Sequence, residues 1–131
     1  AEKLPFCSAC FDLVVAGEII EHLEKPMTAL REWARVLKLE GTLIMSTPNG
    51  GLVKARWNPR HKRTYSPRDL KRTLHGLGFR VVSAHGVFTG LFSGRRLFNL
   101  VPLEGLKTFL MRLPVPLFMS YDVFIKAKKK A

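Results

Sequence analysis

Residues 11–47 read FDLVVAGEIIEHLEKPMTALREWARVLKLEGTLIMST, and this stretch decides the fold. FDLVVA, at 11–16, is a short apolar run rich in Val and Leu. It reads as a buried strand of a parallel sheet, apolar on both faces. Gly17 leads out of it. PMTALREWARVLK, at 26–38, has helical spacing, with Met27, Leu30, Ala34 and Leu37 on one face and Arg31, Glu32, Arg35 and Lys38 elsewhere. Pro26 suits the first turn, and Gly41 is expected to terminate the helix. TLIMST, at 42–47, is a second β-branched apolar run, broken by Pro48, Asn49, Gly50 and Gly51.

Outward from this core the pattern repeats. Ser66 is a good N-cap, Pro67 follows at the first helical position, and Asp69 stands three residues after Ser66. Leu70, Leu74 and Leu77 mark the buried stripe of that helix, which Gly76 and Gly78 end. FRVVSA, at 79–84, is a third strand, and YDVFIKA, at 121–127, a last one, expected to pair antiparallel to its predecessor at a sheet edge. Strand–helix–strand–helix–strand predicts an α/β layer fold with a largely parallel sheet. One domain over 1–131 is expected, with an apolar insertion at 85–119 holding a short helix near 103–112. A basic tail at 126–131 reads as a solvated end.

The formal charge is +12, and its distribution is uneven. Residues 1–53 carry 5 basic and 7 acidic groups, whereas residues 54–72 carry 8 basic and 1 acidic. Four further lysines fall in 126–130. Such a field attracts anions, so a non-catalytic module binding nucleic acid or an anionic surface is one functional alternative. No run of about 18 apolar residues exists, which excludes a membrane-spanning helix. The opening AEKLPFCSAC lacks the apolar core of a signal peptide. Two cysteines make no disulfide framework, so a cytoplasmic setting is expected. Cys7 and Cys10 form a C-x-x-C, but a zinc site needs four ligands and no second pair exists; the pair reads as an ordinary turn.

AEKLPF, FDLVVAGEIIEHLEKP and LREWARVLKLEGTLIMSTPN together resemble the second half of a class I S-adenosylmethionine (SAM)-dependent methyltransferase. WNPRHKRTYSPRDLKRTLHGLGF is similar to the loop and penultimate helix of that family. The resemblance implies a partial Rossmann-like methyltransferase sheet, mostly parallel with an antiparallel last strand. It implies methyl transfer from SAM to an oxygen or nitrogen of a small or lipid-linked acceptor. Ala1, Glu2 and Leu4 would lie along the adenine, and Gly17 would flank the methionine part of the cofactor. Leu4, Pro5 and Phe6 read equally as a turn with an apolar plug. The chain has no G-x-G-x-x-G, the turn that lets backbone approach the nucleotide. It is therefore expected to be a fragment or one part of a split enzyme, with another chain supplying the leading half, and to bind SAM weakly alone.

Glu18, Glu21 and His22 form the sharpest constellation. If the segment is helical, all three share a face, where two carboxylates and an imidazole can hold a divalent cation or a proton acceptor. The pattern resembles the metal site of ubiquinone-pathway and small-RNA methyltransferases, which implies Glu18, Glu21, His22 and His61 as ligands of a Mg2+-type cation. A structural role for Glu21 or His22, and a base role for His22 without metal, stand beside it. Arg56, Arg60 and His61, in the basic loop with Trp57 and Tyr65, are candidates to grip the acceptor.

Overall fold

The computed structural model describes residues 2–50, 60–87, 117, 120 and 122–131. The elements run β1 (Phe11–Gly17), a 3-10 turn (Ile20–His22), α1 (Pro26–Val36), β2 (Leu37–Pro48), α2 (Pro67–Gly76), β3 (Phe79–Val87) and β4 (Asp122–Lys129). The insertion helix near 103–112, together with Ala1, Arg56 and Trp57, lies outside the described residues.

The four strands form one sheet in the order β1-β2-β4-β3. β1 and β2 pair parallel, while β4 pairs antiparallel with both β2 and β3. Three strands thus run one way and the last runs against them, the mixed α/β arrangement expected. The position of β4 differs from expectation: it lies between β2 and β3, and β3 takes the edge. A buried alternation explains its inner place, because Val123, Ile125 and Ala127 are all at most 1% exposed. Lys126, Lys128 and Lys129, assigned from sequence to a tail, are strand residues here. Lys129 turns its ammonium onto the end of α1, donating to Ala34 O and Leu37 O at 2.8 Å each. That arrangement satisfies carbonyls the helix leaves open.

One sheet face carries the core. Leu43, Met45, Val123, Ile125 and Ala127 meet Ala29, Leu30 and Trp33 of α1 and Leu70 and Leu74 of α2. The buried stripe of α1 is offset from the one read in sequence. Pro26, Ala29, Leu30, Trp33 and Val36 are buried, and Met27 is exposed. Trp33, the bulkiest apolar side chain, sets the rotation of the helix. α2 begins as the sequence requires: Ser66 Oγ accepts from the Asp69 N–H at 3.2 Å and donates to Asp69 Oδ2 at 2.6 Å.

The turn at Gly41 is also different. α1 ends at Val36, and β2 starts at the next residue and runs through Gly41. Phe11 pairs with Leu37 but Leu13 with Thr42, so residues 38–41 bulge out of the ladder. Glu40 takes a left-handed conformation, φ +58°. A Cβ on Gly41 would stand 2.8 Å from Lys38 O, so only glycine fits. The glycine ends no helix; it permits a bulge. Among the described residues no helix is long and apolar enough to cross a membrane.

Candidate functional site at the strand ends

β1 and β2 run parallel, and both end on the same side of the sheet. In open α/β sheets that side is where ligands bind. The strand ends bring together Glu18, Ser46, Thr47 and Asn49, and the 3-10 turn that follows β1 adds Glu21 and His22.

Glu21 is 1% exposed. Its Oε2 accepts from Thr47 Oγ1 at 2.9 Å. Its Oε1 is buried and makes no hydrogen bond among the described residues. An ionised oxygen in that state is costly unless a cation or proton meets it. His22 Nε2 stands 3.6 Å from it. The other imidazole nitrogen, Nδ1, lies 3.1 Å from Arg60 O. A carbonyl only accepts, so Nδ1 is the donor in that contact, and Nε2 is the nitrogen turned toward Glu21. The imidazole of His61 packs edge-on against that of His22, with centroids 4.9 Å apart. One ligand atom each of Glu21, His22 and His61 lies within 4.8 Å of the others.

The loop is held there by backbone. Lys62 N and Arg63 N donate to Glu21 O at 2.8 and 3.3 Å. Lys62 also pairs with Glu24 through its side chain. Asn49 pairs with Tyr65, and Gly50 N donates to Tyr65 O at 2.9 Å. His61 therefore reaches the site from some 40 residues away because Glu21 O and β2 fix the loop.

Glu18 stands apart from this group. The segment is a 3-10 turn rather than a helix from Gly17 onward, and Glu18 has φ +49°. That conformation sends its carboxylate to Ser46, whose Oγ donates to Oε1 at 2.7 Å. Burial pushes the Glu18 carboxyl above its ordinary range, and the charges of Asp122 and Glu21 add to the rise.

Of the residues expected along the cofactor, Glu2 accepts from Lys25 N at 2.7 Å and so caps α1. Leu4 is half-buried against the core, its N–H donating to Glu32 Oε2 at 3.0 Å. Gly17 is exposed at the strand end, where among the described residues a side chain would meet Ser46 Oγ at 3.6 Å. Arg60 borders the site through its carbonyl.

Sequence reasoning passed over Thr47, and read Tyr65 only as an aromatic of the basic loop. Thr47 is fully buried. The Tyr65 hydroxyl is buried without a hydrogen-bond partner among the described residues, and burial pushes its pKa up. The available signal was polar Ser-Thr ending an apolar strand run.

A family profile described as a methyltransferase domain matches residues 1–45. A Mycobacterium tuberculosis protein named a probable S-adenosylmethionine-dependent methyltransferase is 37% identical over 92 residues, covering 67% of this chain and 34% of its own length. The ubiquinone biosynthesis O-methyltransferase of Rhodopseudomonas palustris is 29% identical over 92 residues, covering 59% of this chain and 36% of its own. The chain thus spans about a third of the length of these curated relatives. Among solved structures, a Thermotoga maritima protein described as a SAM-dependent methyltransferase, possible histamine N-methyltransferase, superposes with TM-score 0.77 at 20% identity. It covers 98% of this chain and 60% of its own. The methyltransferase of Haloferax volcanii in complex with the Trm112 activator superposes with TM-score 0.70 at 16% identity, covering 99% and 58%. Sequence likeness at the start of the chain and a shared fold along nearly all of it agree: this chain belongs to the class I SAM-dependent methyltransferases.

Proposed function

We propose that the chain is the acceptor side of a SAM-dependent methyltransferase, moving a methyl group to an oxygen or nitrogen of a small or lipid-linked molecule. One observation carries the reading: the buried Glu21 Oε1, without a hydrogen bond among the described residues, beside His22 Nε2 and His61 at the open ends of two parallel strands. SAM, when bound, supplies an electrophilic methyl group on a sulfonium. The residues here present the nucleophile. His22 Nε2 takes up the proton that a hydroxyl or ammonium loses, and Glu21 stabilises the imidazolium that results. The same three groups, one carboxylate and two imidazoles, would hold a divalent cation that lowers the pKa of an acceptor hydroxyl, Mg2+ being the one the family resemblance implies. Glu2, Leu4 and Gly17 would border the cofactor. Names among the relatives include both an O- and a possible N-methyltransferase, which supports leaving both acceptor atoms. A cytoplasmic setting accords with two unpaired thiols. Part of the positive charge is engaged internally: Lys62 with Glu24, Lys128 with Glu40, and Lys129 with α1. This engagement favours the enzyme over a basic nucleic-acid module.

Amide chemical shifts during titration with SAM and then Mg2+ test the reading. SAM will shift Leu4, Gly17 and Glu18 with weak affinity, since no G-x-G-x-x-G is present, and leave α2 unmoved. Mg2+ will shift His22 and His61. Glu21→Gln will weaken Mg2+ binding by about tenfold or more, the usual effect of losing a charged member of a cation site. Shifts confined to α2, or none at millimolar SAM, would overturn the cofactor assignment. An unchanged Mg2+ response in Glu21→Gln removes the cation and leaves His22 as the base.

A further inference from the structure

The geometry points to a second chemical site, independent of the strand ends. We propose that Cys7 and Cys10 are a dithiol–disulfide pair that reacts reversibly with low-molecular-weight disulfides. Both are free thiols, Cys7 exposed and Cys10 half-buried. Ser8 and Ala9 are the central residues of a tight turn, and Ala9 has φ +52°. A turn of this kind holds its end Cα atoms within about 7 Å of each other. A disulfide spans Cα separations of about 4.4–6.8 Å. Cys10 Sγ folds back over the turn, donating to Cys7 O at 2.8 Å.

The turn does not depend on the thiols. Ala9 N and Cys10 N donate to Arg35 O and Val36 O, both at 2.9 Å. Arg35 donates to Phe6 O and Ser8 Oγ at 2.8 and 3.3 Å. α1 therefore fixes the turn that brings the two cysteines within the span of a bridge, so little chain entropy is lost on closure.

The chemistry balances in two exchanges. Exposed Cys7, as thiolate, attacks the small disulfide, forms a mixed disulfide and releases one small thiol. Cys10 then gives up its proton, attacks Cys7 Sγ and releases the second small thiol. The protein loses two electrons and two protons; the small disulfide becomes two thiols. The thiol of Cys10 is held above its ordinary pKa by the interaction with Cys7, which makes Cys7 the entry point.

Oxidised glutathione is the probe, applied to the folded chain without denaturant. Intact mass will fall by two hydrogens, both free thiols will disappear, the chain will stay monomeric on a non-reducing gel, and dithiothreitol will reverse all three changes. Cys10→Ser will stop as a glutathione adduct on Cys7. Persistent adducts on the wild-type chain, disulfide-linked dimers, or a bridge formed only in denaturant would each overturn the proposal. The double variant Cys7→Ser/Cys10→Ser will melt with reduced wild type. A large drop would mean that the thiols themselves hold the turn, contrary to the pre-formed geometry.

Discussion

The ionisation of Glu32 helps tie Leu4, in the segment before β1, to α1. Its carboxylate accepts from Arg35 Nε and Nη2 at 2.8 and 2.9 Å, and from the Leu4 N–H at 3.0 Å. Those hydrogen bonds, Arg35 first, pull its pKa down to about 2 from 4.5. A depressed acid stabilises the fold where both states are ionised and loses that contribution as protonation begins. Stability from Glu32 is therefore complete above pH 4.5 and lost between pH 4.5 and about 2. In Glu32→Gln, thermal melts will show a flatter acid limb across that window and a lower melting temperature at neutral pH. Equal acid limbs in the two proteins would refute the role. The candidate site at this scale was half legible. The spacing of Glu21 and His22, with a histidine in the loop after the next strand, pointed to the three groups that meet. Glu18 was misplaced because a helix was assumed where the chain makes a 3-10 turn with a left-handed residue. Thr47 was invisible, and the buried hydroxyl of Tyr65 was not foreseen, because their burial comes from long-range pairing, which no local spacing encodes.

Among the elements, the bulge in β2 is the sharpest test of what glycine does here. Gly41 sits where a Cβ would press on Lys38 O at 2.8 Å and Leu37 Cδ2 at 3.0 Å. The first of these is backbone and cannot rotate away. Gly41→Ala will destabilise by about 1–3 kcal/mol, the usual range for forced overpacking. Chemical denaturation will read this as a lower midpoint with an unchanged slope. An equal midpoint would mean the bulge can open freely. Strands and helices themselves were readable, because apolar runs, the Ser66 cap and the Leu70–Leu74 stripe are local signals. Strand order was not. β4 enters between β2 and β3 by pairing Ile125 with Met45 on one side and Ala84 on the other. Its alternation of Val123, Ile125 and Ala127 with charged neighbours looked like an edge strand, yet both of its edges are hydrogen-bonded. The lysines pass for a solvated tail by composition alone; Lys129 is needed at the end of α1.

For the whole molecule, the asymmetry of the sheet decides solution behaviour. The face toward α1 and α2 is packed, and among the described residues the opposite face carries no covering element. Among the described residues β1 has one strand neighbour, β2, and lies at the sheet edge. On its unpacked face Leu13 is 50% and Val15 65% exposed, with Phe124 at 42% farther across the sheet. The apolar side chains beside an unpaired edge form a template for another strand, while Lys126 and Lys128 on the same face oppose it with charge. β1 carries just one charged group, Asp12, and its carboxylate is engaged by Lys38 at 2.9 Å. The edge thus lacks the charges that usually protect such strands. The chain will self-associate in a concentration-dependent manner, measured by sedimentation velocity. Val15→Lys will return it toward monomer by adding charge at the strand's most exposed apolar position. Because Val15 contributes little to the packed core, its thermal stability will change by no more than about 0.5 kcal/mol. Salt separates this from charge-driven contacts: apolar strand pairing persists or strengthens as salt rises, whereas association through the lysines weakens. A wild-type chain that stays monomeric at high concentration and high salt would show that the exposed face is covered in solution and that β1 is not an adhesive edge.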